Sequence, residues 1–253
     1  MARDPIYDSI GVGYARVRQP DPRIAEQIHT ALGDARRVLN VGAGAGSYEP
    51  VDRCVVAVEP SQRMIEQRPP QASRIVVRAF AGDLPFEDGA FDAAMALLTV
   101  HHWPDAAAGL REVRRVTSGP VVVFTFDYAV HSDQWLVTEY LPGMLEFDRD
   151  VPSPVEIANA LGGGDVSVVP VPADCVDGFC HAWWRRPEAY LDAGVRAGIS
   201  GIARLPDAVV DKAMARLAAD LESGRWQSVH ADLLTASQID AGYRLVVSGG
   251  SLR

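Results

Sequence analysis

The residues most able to do chemistry lie in two short stretches near the middle of the 253-residue sequence. In VLNVGAGAG, the glycines Gly42, Gly44 and Gly46 alternate with small residues directly after an apolar run. Glycine allows positive φ and close backbone approach, so such a loop presents N–H groups to a bound molecule. The next apolar run, CVVAVEPS, closes on a lone acid, Glu59, 17 residues after Gly42. A carboxylate there can accept both hydroxyls of a ribose, and the two features together imply an adenosine-containing ligand. Further on stand His101 and His102, with Asp127 placed 25 residues after His102. Histidine is the usual general base near neutral pH, and a carboxylate can orient it.

The loop narrows the ligand. The dinucleotide fingerprint GxGxxG fails because Ser47 stands in its sixth position, and the Gly-Lys-Ser/Thr of a phosphate loop is absent. A GxGxG loop followed by a strand that ends in an acid is instead the pattern that holds the methionine end of S-adenosylmethionine. That ligand carries no phosphate.

Bulk composition excludes other classes. With 24 basic against 33 acidic residues the net charge is −9, which repels nucleic-acid backbones, and Arg114–Arg115 and Arg185–Arg186 are isolated pairs, so no nucleic-acid partner is expected. The longest apolar stretch, AAMALLTV, falls well short of the roughly 18 residues of a membrane span. The opening MARDPIYD has no apolar signal region, so no membrane partner and a cytoplasmic location are expected. The cysteines Cys54, Cys175 and Cys180 form no CxxC. The cluster DCVDGFCH matches no zinc spacing and is read as ordinary strand and turn residues, with no metal expected.

Positioning these residues requires an alternating chain. Short, nearly all-apolar runs at 37–41, 54–58, 74–78, 92–98 and 120–126 read as strands buried on both faces, as in a parallel sheet. Helices are expected at about 21–32, opened by Asp21 and Pro22, at 61–68 under a Ser61 cap, and at 105–116 under an Asp105 cap. Only residues 42–53 separate the first two strands, so the crossover helix shrinks to about a turn at Ser47–Asp52. Later strands are expected at 165–171 and 243–248, with a helical, tryptophan-bearing stretch over 181–226. The expected fold class is α/β: a doubly wound, mostly parallel seven-stranded sheet, with a helical, aromatic-rich elaboration in the C-terminal half. A single domain over 1–253 is expected, with a lid at 1–33, a cofactor-binding core at 34–130, and substrate-side cap elements at 131–164 and 179–240.

The ordered motifs VLNVGAGAG, VVAVEPSQRM, AFAGDLPFEDGAFDAAMALLTVHHWPD and LREVRRVTSGPVVVFTFD resemble the class I S-adenosylmethionine-dependent methyltransferases, in particular the small-molecule type 11 group. The resemblance covers roughly residues 7–130. It implies a Rossmann-like methyltransferase fold with S-adenosylmethionine as cofactor. By it, Gly42, Ala43 and Gly44 line the methionine moiety, Glu59 takes the ribose, Pro60 and Met64 flank the adenine, Phe80 and Ala81 border its edge, and Leu97 offers a carbonyl to its amino group. YDSIGVGYARVRQP is similar to the family's lid, which places Tyr14 over the cofactor and Arg18 near its carboxylate or the substrate. Two positions depart from the family pattern. Asn40 stands where many members have an acid, and Phe80 where many have an aspartate.

Methyl transfer from a sulfonium is an in-line displacement that needs a positioned nucleophile and a dry site. The resemblance puts His101 and His102 near the methyl, and sugar O-methyltransferases of this group pair a similar histidine with a carboxylate. His102–Asp127 is therefore the expected base dyad, with His101 the other candidate; a structural role, with Asp127 capping a helix, is the competing reading. The substrate, a small metabolite methylated at oxygen, is expected to meet Tyr7, Trp135, Tyr140, Trp183, Trp184 and Arg185. Rival readings are a methyltransferase-fold cyclase that uses the cofactor structurally or not at all, a binding protein, and a nicotinamide dehydrogenase, which Ser47 disfavours.

Overall fold

The computed structural model describes residues 18–147 and 150–249. Its centre is a seven-stranded sheet of order β3-β2-β1-β4-β5-β9-β6. The strands are β1 (Arg37–Val41), β2 (Cys54–Val58), β3 (Val76–Val77), β4 (Ala93–Leu97), β5 (Val121–Phe126), β6 (Asp165–Val168) and β9 (Tyr243–Ser248), while β7 (Val171–Pro172) and β8 (Gln238–Ile239) make a separate two-stranded ribbon. The first five strands of the sheet are parallel, and β9 runs antiparallel to both β5 and β6. The order reverses between β1 and β4, and ligands in open α/β sheets bind at such a point, outside the carboxyl ends of the strands.

Alternation along each strand feeds two cores. Val38, Met95, Val122, Phe124 and Leu245 pack on one face with Ile24 and Ile28 of α1 (Pro22–Ala31) and with Leu32, which caps it. Leu39, Val41, Val56, Ala94, Ala96 and Val123 pack on the other with Leu110 and Val113 of a later helix and with Ile157. After α2 (Gln62–Glu66), that later helix is α3 (Ala106–Arg115). The expected caps are present: Asp21 accepts from the Arg23 N–H, Ser61 from Met64 and Asp105 from Ala108. Between β1 and β2 no residue is helical; the crossover is a run of turns, so the expected shortening is complete.

The C-terminal half builds a cap with its own core. Its helices are α4 (Tyr128–Ser132), α5 (Pro154–Ala160), which instead packs under the sheet, then α6 (Ala193–Ala197), α7 (Ser200–Ala203), α8 (Asp207–Glu222) and α9 (Arg225–Val229). Trp135, Tyr140, Met144, Tyr190, Leu217 and Trp226 pack together there. The expectation of helix across 181–226 holds only from residue 187 onward. Residues 181–186 are turns, because the Trp184 indole is pulled down to donate to the Val171 carbonyl at 3.1 Å.

Candidate active site

A chamber of ≈ 870 Å³ opens at the carboxyl ends of β1, β2 and β4, within the roughly 300–1,000 Å³ of small-molecule sites. Its floor is the glycine loop. Gly42, Gly44 and Gly46 all have positive φ (67°, 51° and 88°), and a Cβ on Gly42 would stand 2.0 Å from Thr99 Oγ1. Thr99 in turn accepts from the Trp103 indole at 3.2 Å, so the loop is clasped by the segment that follows β4. Beneath it lies a network that sequence reading did not find. Arg68 pairs with Glu49 at 2.7 Å, both nearly buried, and also donates to the Gly44 carbonyl at 3.0 Å. Asn40 donates to the same Glu49 at 2.9 Å, so this amide braces the crossover through an acid that the turns supply.

Glu59 is buried, and its carboxylate accepts from the Gly44 N–H and the Ser61 N–H, both at 2.8 Å. These bonds aim the acid at the loop, and a carboxylate has further lone pairs to accept with. Pro60, Met64, Phe80, Ala81 and Leu97 also line the chamber. Phe80 is 37% exposed, a large apolar ring presented to the space above β2 and β4. Tyr7 and Tyr14 lie outside the described residues. Arg18 lines the chamber, but its guanidinium is engaged by Asp177 at 2.7 Å and 3.3 Å, and the Tyr48 hydroxyl donates to the same acid at 2.7 Å.

Opposite the loop, Leu98 takes φ 50° just after β4, an αL conformation that a branched side chain adopts only under tertiary constraint. The 3-10 turn Val100–His102 then points His101 and His102 into the chamber, their ring centroids 3.8 Å apart. Burial, with the charge of Arg204, holds the His102 imidazole down to about 4. Burial also lowers His101 well below the usual range, with smaller contributions from the charges of His102 and His131. Both rings are therefore neutral near pH 7.

These groups form a recognisable set: a glycine loop at positive φ, an aimed acid at the end of the next strand, and a reversed strand order. Residues 39–123 match the methyltransferase domain family. A crystal structure described as a methyltransferase of an antibiotic biosynthesis pathway from Anabaena variabilis is 31% identical, covers 92% of this chain and 98% of its own, and superposes with a TM-score of 0.85. The chain belongs to the class I S-adenosylmethionine-dependent methyltransferases. Among curated relatives, malonyl-[acyl-carrier protein] O-methyltransferase of Erwinia pyrifoliae is 34% identical over 114 residues, or 43% of each chain. A Methanocaldococcus jannaschii protein is 27% identical over 141 residues and matched over 56% of its length, so the chain spans about half the length of these curated relatives. The [4+2]-cyclase SpnF covers 99% of this chain at 15% identity and a TM-score of 0.51, a likeness of fold alone.

The methyltransferase's cofactor fits the chamber. Loop glycines, the Glu59 carboxylate and the apolar side chains of Met64 and Phe80 line the one chamber, a donor, acceptor and apolar set suited to a charged, ribose-bearing, aromatic ligand. The expected catalytic dyad is corrected. Asp127 is half-buried at the start of α4, where its carboxylate accepts from the Ala129 N–H at 3.0 Å, and among the described residues it bonds to neither histidine. The helix that follows β5 takes the carboxylate for its own orphan amide.

The expected substrate aromatics are corrected too. Trp135 and Trp184 are buried in the cap and under the ribbon, and Tyr140 donates to Asp220 at 2.8 Å. Trp183 stacks under Arg186, and Arg185 donates to the Ala236 carbonyl at 2.8 Å. None of these five lines the chamber, whose cap-side wall is instead Phe147, Asp150, Val151, Pro152 and Arg204. Arg204 lies 4.0 Å over the Phe147 ring and has no carboxylate partner among the described residues. No sequence signal singled it out, since it sits just past a four-residue helix among many surface arginines. No helix among the described residues is long and apolar enough to cross a membrane.

Proposed function

We propose that this protein transfers a methyl group to an acidic oxygen of a small, anionic metabolite. The observation that carries the reading is Arg204, a cation in the chamber wall, half-buried and stacked on Phe147 without a carboxylate partner among the described residues. Arginine in such a place matches the planar fork of a carboxylate, and its bidentate pairing fixes orientation as well as charge.

When bound, S-adenosylmethionine supplies a methyl group on a positively charged sulfur. Gly42, Ala43, Gly44 and Glu59 would hold it, with Met64 and Phe80 against the base. The remaining work belongs to the chain. Arg204 orients the acceptor, while Trp103, Phe124 and Phe147 exclude water so that the nucleophile stays in a near-attack pose. His102 is a weak base at about 4. It suits an acceptor oxygen that is itself acidic, a carboxylate that needs no base or an acidic hydroxyl whose proton passes to an imidazole nitrogen. The names of the relatives support this choice, the Erwinia enzyme being named an O-methyltransferase and the Anabaena structure being described as from an antibiotic pathway.

The test incubates the full chain with S-adenosylmethionine and pairs of small acids and their neutral amides, reading S-adenosylhomocysteine by mass spectrometry. Release with acids and not with their amides is expected. Amides methylated as fast as acids would remove the role of Arg204. Binding of the cofactor without any S-adenosylhomocysteine, while an added metabolite is rearranged, would turn the scaffold to cyclase chemistry.

A further inference from the structure

Behind the chamber, three donor side chains from distant parts of the sequence meet. His131 closes α4, and Cys180 and His181 lie in the turn after the β7 ribbon strand. One donor atom from each lies within 4.8 Å of the other two, and the two imidazole centroids are 4.2 Å apart. Both histidines are buried, and His131 Nδ1 and His181 Nε2 each lack a hydrogen-bond partner among the described residues. A buried, unpaired ring nitrogen costs free energy, and native structures pair nearly all such groups with protein, water or an ion.

The donors are suitably prepared. Both rings are enclosed by aromatic neighbours, His131 by Phe126 and Tyr243 and His181 by Tyr243. His181 Nε2 is buried without a hydrogen-bond partner among the described residues and is open to a ligand. The His181 backbone N–H donates to the Tyr243 hydroxyl at 3.3 Å, which anchors the turn, and the His131 ring stacks on Phe126 at 4.5 Å. A cavity of ≈ 60 Å³ touches His131 and Cys180. That exceeds the roughly 30 Å³ share of one water in the liquid, leaving room for an ion and a small fourth ligand. Arg18 faces the same cavity, but Asp177 neutralises it at 2.7 Å.

We propose that His131, Cys180 and His181 form a three-ligand site for a borderline-soft divalent cation, zinc foremost, with the fourth position open to this cavity. Two imidazoles and a thiolate are a donor set zinc favours, and three protein ligands with one open position is the arrangement of sites that bind a further molecule. Loading breaks the Cys180 S–H bond, forms a zinc–sulfur bond and releases one proton to solvent. Zinc bonds of roughly 2.0–2.3 Å place ligand atoms about 3.5 Å apart, so the 4.8 Å triangle closes by side-chain rotation. The cavity shares Leu98 and His101 with the main chamber, which puts the open position next to the methyl-acceptor side. Sequence spacing alone missed the site because His131 lies 49 residues before Cys180. The proposal stands apart from methyl transfer, since metal content is read without substrate.

The full chain, purified without a histidine tag, is analysed for metals, stripped with chelator and reloaded with cobalt(II). About one zinc per chain is expected, and the cobalt form is expected to show tetrahedral d–d bands with a thiolate charge-transfer band. Cys180→Ser is expected to lose the charge-transfer band, and His181→Gln to weaken metal affinity at least about tenfold. S-adenosylhomocysteine titration and circular dichroism report the fold of each variant. If His181→Gln does not fold, the comparison of wild type with Cys180→Ser still decides. Wild-type protein that binds zinc no more tightly than Cys180→Ser, or cobalt with the spectrum of the free aqua ion, overturns the site.

Discussion

In the loop from Gly42 to Gly46 the backbone decides what faces the chamber, whereas in the cap the side chains decide it. Each loop glycine has positive φ, and Glu59 sits at the strand end with its carboxylate tied to the loop's own Gly44 N–H at 2.8 Å. Those demands are local, so residue types and spacing reveal them. In the cap, Trp135, Tyr140 and Trp226 were free to line a pocket or to fill a core, and they fill the core. A small helical cap must bury large rings to hold itself together, since each contributes on the order of 1.5–3 kcal/mol by burial. Among the cap residues left facing the chamber is a cation, Arg204, with nothing in its sequence neighbourhood to announce it.

The sharpest way to break this contrast is at the loop. Gly42→Ala puts a Cβ 2.0 Å from Thr99 Oγ1 on a backbone with φ 67°. We expect S-adenosylhomocysteine affinity to fall at least about a hundredfold, roughly 3 kcal/mol, in calorimetric titration. Near-normal affinity would mean that the loop is not held by its backbone. On the cap side, Arg204→Met should leave that affinity intact and raise KM for an acidic acceptor about ten- to a hundredfold, the loss of one charge-assisted pair. If cofactor affinity fell instead, Arg204 would belong to the cofactor's side.

The histidines between the two regions sharpen the comparison through pH. His102 has its pKa lowered from 6.5 to about 4 in the folded chain. As pH falls below 6.5 the unfolded chain takes this proton first, so His102 withdraws native stability progressively until about pH 4. Denaturant titrations at stepped pH should show that loss, with His102→Gln reducing it. Methylation should lose its acid limb near 4, and a limb near 6.5 would mean that the chamber does not keep the ring dry.

Within the cap, Tyr140→Phe removes only the 2.8 Å bond to Asp220. A loss of about 1 kcal/mol in unfolding free energy is expected, with KM unchanged. A KM effect would return Tyr140 to the substrate.

How far the sequence could be read follows the same division. The strands at 37–41 and 54–58, the caps at Asp21, Ser61 and Asp105, and the loop of Gly42 with the acid Glu59 were legible because apolar runs, cap residues and glycine turns act within a few positions, whereas Met64, Phe80 and Leu97, which also line the chamber, were singled out only by the family resemblance. The Glu49–Arg68 pair, Arg204 and the meeting of His131 with His181 were not legible, because each depends on which distant surfaces pack together.

Asp127 lies on the boundary and shows why a plausible spacing can mislead. It ends β5 beside β4, where a carboxylate could reach a histidine, yet the same position begins α4 and leaves an amide at Ala129 to be satisfied. The nearer claim wins, because a cap forms within the same turn and needs no partner from another strand. Asp127→Asn tests this at the smallest scale. Asparagine caps about as well as aspartate, so stability should change by no more than about 0.5 kcal/mol and kcat by less than about twofold. A fall in kcat of tenfold or more, with stability intact, would place the carboxylate in the catalytic step and make the cap its resting position.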